Sequence, residues 1–265
     1  MRFLFWTFLD NLKVHYKEYY EYSGKLSSEY TSYFTADGSM TGKYMAYFEN
    51  GKVQTIGQFY DGDFTNIKVG TWQYFNSDGR ESTMCGNGGR CISRFAVDLG
   101  IAAEGTLNFH AIDGPHTAVV APSSVALSMI DAPAVISRNN GFFIDTGSPH
   151  HVENRTPGSD FVRTARLIRD VYGPEGANVN FIQACEGELS IRTYERGVEN
   201  ETLACGTGAT AAAMVAVAQG WVPAAPVRLY AQGGILTVDF KGSGPFTDVV
   251  LTGPATQVFK GLLPL

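Results

Sequence analysis

Two cysteines lie in glycine-rich turns that each run directly into a helix-like segment, and this pairing constrains the chain more than any other feature. The first turn reads MCGNGGRC around Cys85, and the second reads ACGTGA around Cys205. A helix-like run follows each turn and ends at a glycine, Gly100 in the first case and Gly220 in the second. Small residues let backbone amides approach a ligand, and a helix N-terminus adds free N–H groups and partial positive charge.

The same helix-terminal field lowers the pKa of a thiol and makes thiolate available near neutral pH. One such turn would suggest a nucleophile. Two matched turns predict a pair of thiols that act on one anionic substrate from opposite sides, with Cys85 and Cys205 as the pair.

Other roles for these cysteines remain open alternatives. Isolated cysteines are often small buried hydrophobic residues, although the flanking glycines argue against that here. Cys85 and Cys91 lack the close Cys and His spacing of a zinc site, which predicts no metal. With four cysteines and no secretory segment, we expect reduced thiols in a cytoplasmic protein, with Cys185 in a structural role.

Five motifs, in order along the chain from about residue 74 to the C-terminus, together resemble the diaminopimelate epimerase family. They are FNSDG (75–79) leading into CGNGGRC (85–91), then GSPH (147–150), ANVNF (177–181), YERG (194–197) and ACGTG (204–208). The resemblance implies an isomerase that inverts an amino-acid centre without pyridoxal phosphate or metal. It implies that Cys85 and Cys205 are the catalytic base and acid, exchanging roles with the direction of the reaction.

The remaining site residues receive their roles through the same resemblance. Asn76, Asn87 and Asn178 are implied to contact the distal ammonium and carboxylate of the substrate, and Gly86, Gly206 and Thr207 to offer backbone amides to the reacting carboxylate. Glu195 is implied to bind the α-amino group, Arg196 to clamp the far carboxylate, and His150 with Glu195 to tune thiol ionisation. Ser148 stands where the family often has Asn, and its hydroxyl can still bind substrate. Read alone, the Asn residues would be turn residues and Glu195–Arg196 a surface pair.

The first 70 residues depart from the family, which opens with a Gly-x-Gly-Asn-Asp-Phe loop that is missing here. Aromatic pairs followed by Asn-Gly or Asp-Gly recur instead, which predicts antiparallel hairpins turning at Gly24, Gly38, Gly51 and Gly62. This pattern resembles MORN-type repeats. We therefore expect a repeat segment over 1–73, a remnant of the epimerase N-terminal half-domain over 74–115, and a C-terminal half-domain over 116–265.

The predicted fold class is α+β: a pair of epimerase-like α/β half-domains, each with a central helix, the first truncated and preceded by the hairpin module. The helices after Cys85 and Cys205 would be the central helices. A further helix is predicted over 160–172, and strands over 118–120, 125–129, 141–145, 189–194, 227–230, 235–240 and 248–252.

The composition limits the classes of partner that we expect. A net charge of −6 without a basic cluster argues against nucleic acid, and the apolar residues 3–9 are too short to span a membrane. We expect a small-molecule amino-acid substrate, with a homodimer and a protein partner at the repeats left open.

Two alternative functions remain. One is a non-catalytic β-repeat interaction protein with an incomplete epimerase domain, and the other is a cofactor-free racemase or isomerase of the same fold acting on another substrate. For a catalytic chain, the missing N-terminal loop predicts impaired activity.

Overall fold

A computed structural model of the chain describes residues 4–10, 13–19, 23–34, 40–61, 67–74 and 84–257. The chain divides into two compact units, Met1–Ser82 and Thr83–Leu265. Within the described residues, no helix is both long enough and apolar enough to cross a membrane.

The first unit contains a six-stranded sheet in which each strand pairs antiparallel with the next along the chain. The strands are β1 (Leu4–Asp10), β2 (Lys13–Tyr19), β3 (Leu26–Phe34), β4 (Met40–Tyr47), β5 (Val53–Asp61) and β6 (Ile67–Tyr74). Gly24 and Gly51 lie in the turns before β3 and β5 with φ of 64° and 83°, a conformation that glycine adopts without strain. The predicted hairpins are thus confirmed there, whereas Gly38 and Gly62 lie outside the described residues.

The second unit contains a 12-stranded mixed sheet in its described part. Its strands are β7 (Gly105–Ala111), β8 (Gly114–Ala121), β9 (Ser124–Ser128), β10 (Ile136–Arg138), β11 (Gly141–Asp145), β12 (Pro149–Asn154), β13 (Asn178–Cys185), β14 (Glu188–Glu195), β15 (Asn200–Thr202), β16 (Val227–Ala231), β17 (Gly234–Lys241) and β18 (Thr247–Gly253). The path runs β10-β11-β12-β13-β14-β16-β17-β18-β9-β8-β7, and β15 pairs with β14. Only β12–β13 and β14–β16 pair in parallel among these described strands.

Helix α3 (Gly206–Ala218) is the centre of the core of this unit. Its residues are small or apolar on every side, and all of those from Gly206 to Ala216 are buried. A helix without a polar face is stable only when it is surrounded, and strands β11–β14, β16 and β17 all pack on it. The prediction of a buried helix after Cys205 is confirmed.

Helix α1 (Gly86–Asp98) also starts where the sequence predicts, but only part of its surface is covered. It packs on β8, β9 and the neighbouring helix α3. Ile92, Phe95 and Leu99 remain 58%, 56% and 56% exposed, one above another along one side of the helix. The two helices that follow the cysteines therefore have different surroundings.

The third described helix, α2 (Phe161–Val171), confirms the prediction over 160–172. The seven predicted strands are all present, whereas β7, β10, β12, β13 and β15 were not predicted as strands. Strands β12 and β13 carry polar residues that are buried, including His150, His151, Asn178 and Asn180. Hydrophobic patterning cannot identify a strand whose inward side chains are polar.

Truncating the core of α3 should destabilise the second unit strongly. Met214 is fully buried, so Met214→Ala removes contacts and leaves a cavity, at a cost of about 2–5 kcal/mol. Amide hydrogen exchange of α3 peptides measures the loss. Leu167→Ala, on the 62% exposed Leu167 of α2, should change protection by about 0.5 kcal/mol or less. Equal effects of the two substitutions would contradict a core centred on α3.

Candidate active site

The two cysteines occupy equivalent positions as the N-cap residues of α1 and α3. Cys85 and Cys205 have extended backbones, with φ of −113° and −118°. Each sulfur accepts a hydrogen bond from the backbone N–H three residues later, Gly88 at 3.3 Å and Gly208 at 3.4 Å. The sequence similarity of the two turns therefore corresponds to the same local structure, with the thiol at the positive end of a helix.

The first residues of the two helices touch. A Cβ placed on Gly206 would lie 2.9 Å from the Cα of Gly86, and one on Gly86 would lie 3.2 Å from the Cα of Gly206. Leu251 closes the contact from the side, with its Cδ2 atom 2.8–2.9 Å from either added Cβ. Only glycine at both positions allows this approach, which places the two helix N-termini side by side.

A set of hydrogen bonds holds the two turns in this arrangement. The amide of Asn87 donates to the carbonyl of Ala204 at 2.7 Å, linking one turn to the other. Arg90, which is buried, donates to the Asn87 Oδ1 atom at 2.9 Å and to the Gly86 carbonyl at 3.3 Å. Sequence reasoning assigned no role to Arg90, although its place inside the CGNGGRC motif was a signal.

Three predicted residues surround Cys205. The Thr207 hydroxyl lies 3.4 Å from its sulfur, and His150 Nε2 lies 2.9 Å from the same hydroxyl. The carboxylate of Glu195 is close enough to Cys205 for its charge to raise the pKa of that thiol, and it accepts a hydrogen bond from the Thr202 hydroxyl. The structure thus brings His150, Glu195 and Thr207 together around one of the two thiols.

The environment of Cys205 corrects the expectation of a lowered thiol pKa. Burial, with a smaller contribution from the neighbouring Glu195 charge, raises the pKa of Cys205 to about 12, although the hydrogen bonds from Thr207 and Gly208 act in the opposite direction. Desolvation of a thiolate outweighs the helix field at this buried site. Burial also raises the pKa of Glu195. Cys85, by contrast, is exposed.

His150 is neutral at physiological pH. Complete burial, with a smaller contribution from the positive charge of Arg196, lowers its pKa to about 3. The Asn180 side-chain amide lies 3.1 Å from His150 Nδ1, and Asn180 is itself fully buried. Sequence reasoning missed Asn180, whose only signal was its place in the ANVNF motif.

A second group of predicted residues meets around Asn178. Its amide donates to the Ser148 hydroxyl at 2.9 Å and to the Pro149 carbonyl at 3.3 Å. Its Oδ1 atom accepts the backbone N–H of Arg196 at 3.0 Å, and the Arg196 side chain donates to the Glu175 carbonyl. The parallel pairing of β12 with β13 creates this group, because it aligns His150 with Asn178. Asn76 lies outside the described residues.

Chemically, the site offers two thiols, one exposed and one buried, and the free N–H groups of two adjoining helix N-termini. Such an arrangement can bind a carboxylate and deliver or remove protons at a neighbouring atom. All four cysteines lie in the described part of the chain and are free thiols. Across the described residues, no group of three or more His, Cys, Asp or Glu side chains is placed to hold a metal ion.

The comparison with solved structures shows the fold. A crystal structure of a phenazine biosynthesis protein of the PhzF family from Enterococcus faecalis superposes with a TM-score of 0.50 at 18% identity, covering 75% of this chain and 81% of that one. The described part of the chain is accordingly a sheet-rich mixed fold with few helices, shared with that protein.

Sequence comparisons identify the family within this fold. The family profile "Diaminopimelate epimerase" matches residues 142–258. A protein of that name from Flavobacterium psychrophilum is 45% identical over 194 residues, which is 71% of this chain and 75% of the relative. Another from Aquifex aeolicus is 40% identical in an alignment of 216 positions that covers 72% of this chain and 74% of the relative. The chain belongs to the diaminopimelate epimerase family.

A methyl group at the helix contact should separate the two thiols. Gly206→Ala forces Gly86 and Leu251 apart, so we expect a destabilisation of about 1–3 kcal/mol and loss of any activity that needs both thiols. Gly187→Ala is the matched control. Its φ of 82° makes alanine unfavourable, but no atom lies within 4 Å of the added Cβ. Denaturant unfolding and activity assays of both variants test this, and a fully active Gly206→Ala protein would contradict it.

The four thiols should differ in reactivity. At about pH 8, iodoacetamide should modify Cys205 last, because its thiol is buried and its pKa is raised to about 12. Glu195→Gln removes a charge that raises this pKa, so it should speed modification of Cys205 without changing that of Cys185. Peptide mass spectrometry against time measures both rates. Modification of Cys205 as fast as Cys185 would show that the thiol is not held protonated.

Proposed function

We propose that this chain is a cofactor-independent isomerase that interconverts LL- and meso-diaminopimelate, a step of lysine and cell-wall precursor synthesis. The observation that carries the proposal is the pair of N-cap cysteines on two helices whose first residues touch. Relatives named diaminopimelate epimerase support the substrate. No pyridoxal phosphate or metal takes part in the proposed reaction.

The reaction needs a base on one face of the α-carbon and an acid on the other. In the proposed mechanism, one thiolate removes the α-proton and the opposite thiol returns a proton to the other face. Because the pKa of Cys205 is raised to about 12, this thiol keeps its proton and starts as the acid. Cys85, on the opposite side, is then the base for that direction of the reaction, and the two thiols exchange roles when the direction reverses.

The α-proton is very weakly acidic, so the site must stabilise the charge that develops on the substrate carboxylate. In a helix the first backbone N–H groups have no partner within the helix, which leaves those of Gly86, Asn87, Gly206 and Thr207 facing the proposed carboxylate position. Two helix dipoles converge there. This supplies electrostatic stabilisation without a cofactor.

We assign the remaining predicted residues to substrate contacts. Ser148, Asn178 and Arg196 form one hydrogen-bonded group, which suits the distal carboxylate and ammonium. Asn87 is held by Arg90 next to the Cys85 turn, where it can contact the reacting end. Asn76 retains its role in this proposal as a contact to the distal end.

We infer the following organisation of the chain. Residues 116–265 form the epimerase C-terminal half-domain around α3, residues 74–115 are the remnant of the N-terminal half-domain around α1, and residues 1–73 are a MORN-like repeat. The open side of α1 supports a truncated first half, since Ile92, Phe95 and Leu99 are exposed there. Helix α1 packs on β8 and β9, across the proposed boundary.

The truncation favours a second candidate, an epimerase domain with little activity attached to a β-repeat interaction module. A loop that carries an Asn in the family is missing, and losing two hydrogen bonds to a charged substrate costs about 3–6 kcal/mol. We therefore expect the full chain to have a kcat/KM for diaminopimelate below about 10⁴ M⁻¹s⁻¹. A steady-state assay measures it, and a higher value would mean that the repeat segment replaces the missing loop.

The two-thiol mechanism is tested by substitution and isotope exchange. Cys85→Ala and Cys205→Ala should each abolish epimerisation, because each direction needs both a base and an acid. In D₂O the unmodified chain should place deuterium at the α-carbon of diaminopimelate, as followed by NMR and mass spectrometry. Cys185→Ala is the matched control, since Cys185 is exposed at the end of β13. Turnover without deuterium uptake, or activity in either alanine variant, would exclude the mechanism.

A further inference from the structure

A buried series of hydrogen-bonded polar side chains leads from the sheet to the Cys205 sulfur. It runs from Thr193 through Asn180, His150 and Thr207 to Cys205, with successive contacts of 2.9, 3.1, 2.9 and 3.4 Å. Thr193, Asn180, His150 and Thr207 are all 4% exposed or less. Because water has so little access, each polar atom must find its hydrogen-bond partner within the protein.

The orientation of the Asn180 amide is fixed by its surroundings. Its Nδ2 atom lies 3.0 Å from the His151 carbonyl, which can only accept a hydrogen bond. The Thr193 hydroxyl donates to its Oδ1 atom at 2.9 Å. A rotated amide would place two acceptors against each other, so Nδ2 must be the atom that faces both His151 and His150.

This orientation determines which ring nitrogen of His150 carries the proton. The second N–H of Asn180 donates to His150 Nδ1, so Nδ1 is the acceptor and the proton of the neutral ring is on Nε2. Asn178 lies 3.5 Å from Nε2, but its own two N–H groups already donate to Ser148 and Pro149. Nε2–H therefore donates to the Thr207 hydroxyl.

The tautomer of His150 decides whether the Cys205 sulfur receives a hydrogen bond from Thr207. Because the Thr207 oxygen accepts from His150, its single hydroxyl proton is free to donate to Cys205 Sγ. With the other tautomer, Thr207 would donate to His150 instead and the sulfur would lose this bond. The charged or titratable groups that face this part of the site are Glu195, Arg196 and Cys85, and none of them belongs to this series of hydrogen-bonded side chains.

We propose that Asn180 is a positioning residue of the active site, which fixes the Nε2–H tautomer of His150 and thereby directs the Thr207 hydroxyl to the Cys205 thiolate. Asn180 touches neither the thiol nor the proposed substrate. The proposal deepens the proposed function and rests on it for the role of Cys205, but its test needs no turnover.

The first experiment observes the tautomer directly. In the ¹⁵N-labelled full chain, His150 should show a protonated Nε2 and an unprotonated Nδ1, with its signals assigned by their loss in His150→Gln. Asn180→Asp replaces the donor to Nδ1 by an acceptor, so the ring should move its proton to Nδ1 or become cationic. An unchanged His150 spectrum in Asn180→Asp would overturn the proposal.

The second experiment measures the thiolate. Asn180→Leu should slow iodoacetamide modification of Cys205 about tenfold at a fixed pH, because a hydrogen bond to a charged group is lost. Modification of the exposed Cys85 in the same molecule should not change. A purely structural role predicts the opposite direction, since loosening would expose the buried thiol. Val179→Ala, a buried neighbour on β13, is the control for loosening and should not slow modification.

A double-mutant cycle completes the test. Thr207→Val should slow Cys205 modification as much as Asn180→Leu, and the double variant should be no slower than either. Additive effects would show that Asn180 does not act through Thr207. Thr193→Val is a milder variant, which removes the hydroxyl that donates to Asn180 Oδ1 but keeps both Asn180 donors. It should slow Cys205 modification partially, and it tests the proposal even where Asn180→Leu fails to fold. Modification of Cys205 at the unsubstituted rate in Thr193→Val and Asn180→Leu alike would overturn the proposal.

Discussion

The contact between Gly86 and Gly206 is the constraint on which the rest of the site depends. Two helix N-termini repel each other electrostatically, so they stay together only if the surrounding structure forces them to. Leu251 packs against the contact, and the Asn87–Ala204 hydrogen bond links the turns. The approach places the N-termini of α1 and α3, each capped by a cysteine, side by side.

The two thiols start from the same local structure and end with different chemistry. Both cap a helix and both accept one backbone N–H. Cys205 is buried beside Glu195, which raises its pKa, whereas Cys85 is exposed. One repeated motif can thus place its thiols in different environments, and at Cys205 burial and a neighbouring charge affect the pKa more strongly than the helix terminus does.

The helices show the same divergence. Helix α3 is surrounded by strands, and α1 is covered on one side, with Phe95 and its neighbours exposed. In the described part of the chain, α3 is therefore far better enclosed than α1.

Much of this was accessible from the sequence. Local signals determined both capping cysteines, the helices that follow them and the hairpins at Gly24 and Gly51, because capping and turn formation depend on residues close together in the chain. Family motifs indicated the expected site residues without their geometry. Strands β12 and β13 were missed, since their buried side chains are polar.

Only the tertiary structure decided what surrounds each residue. It paired β12 with β13 in parallel, which brought His150, Asn178 and Asn180 together, and it reversed the expected direction of the Cys205 pKa. Burial, alignment between strands and the orientation of a buried amide come from contacts between distant segments, and no local pattern encodes them. The sequence by itself determined which residues are expected to carry the chemistry, and the fold decided how they are buried, paired and oriented, because these properties depend on neighbours that are far away along the chain.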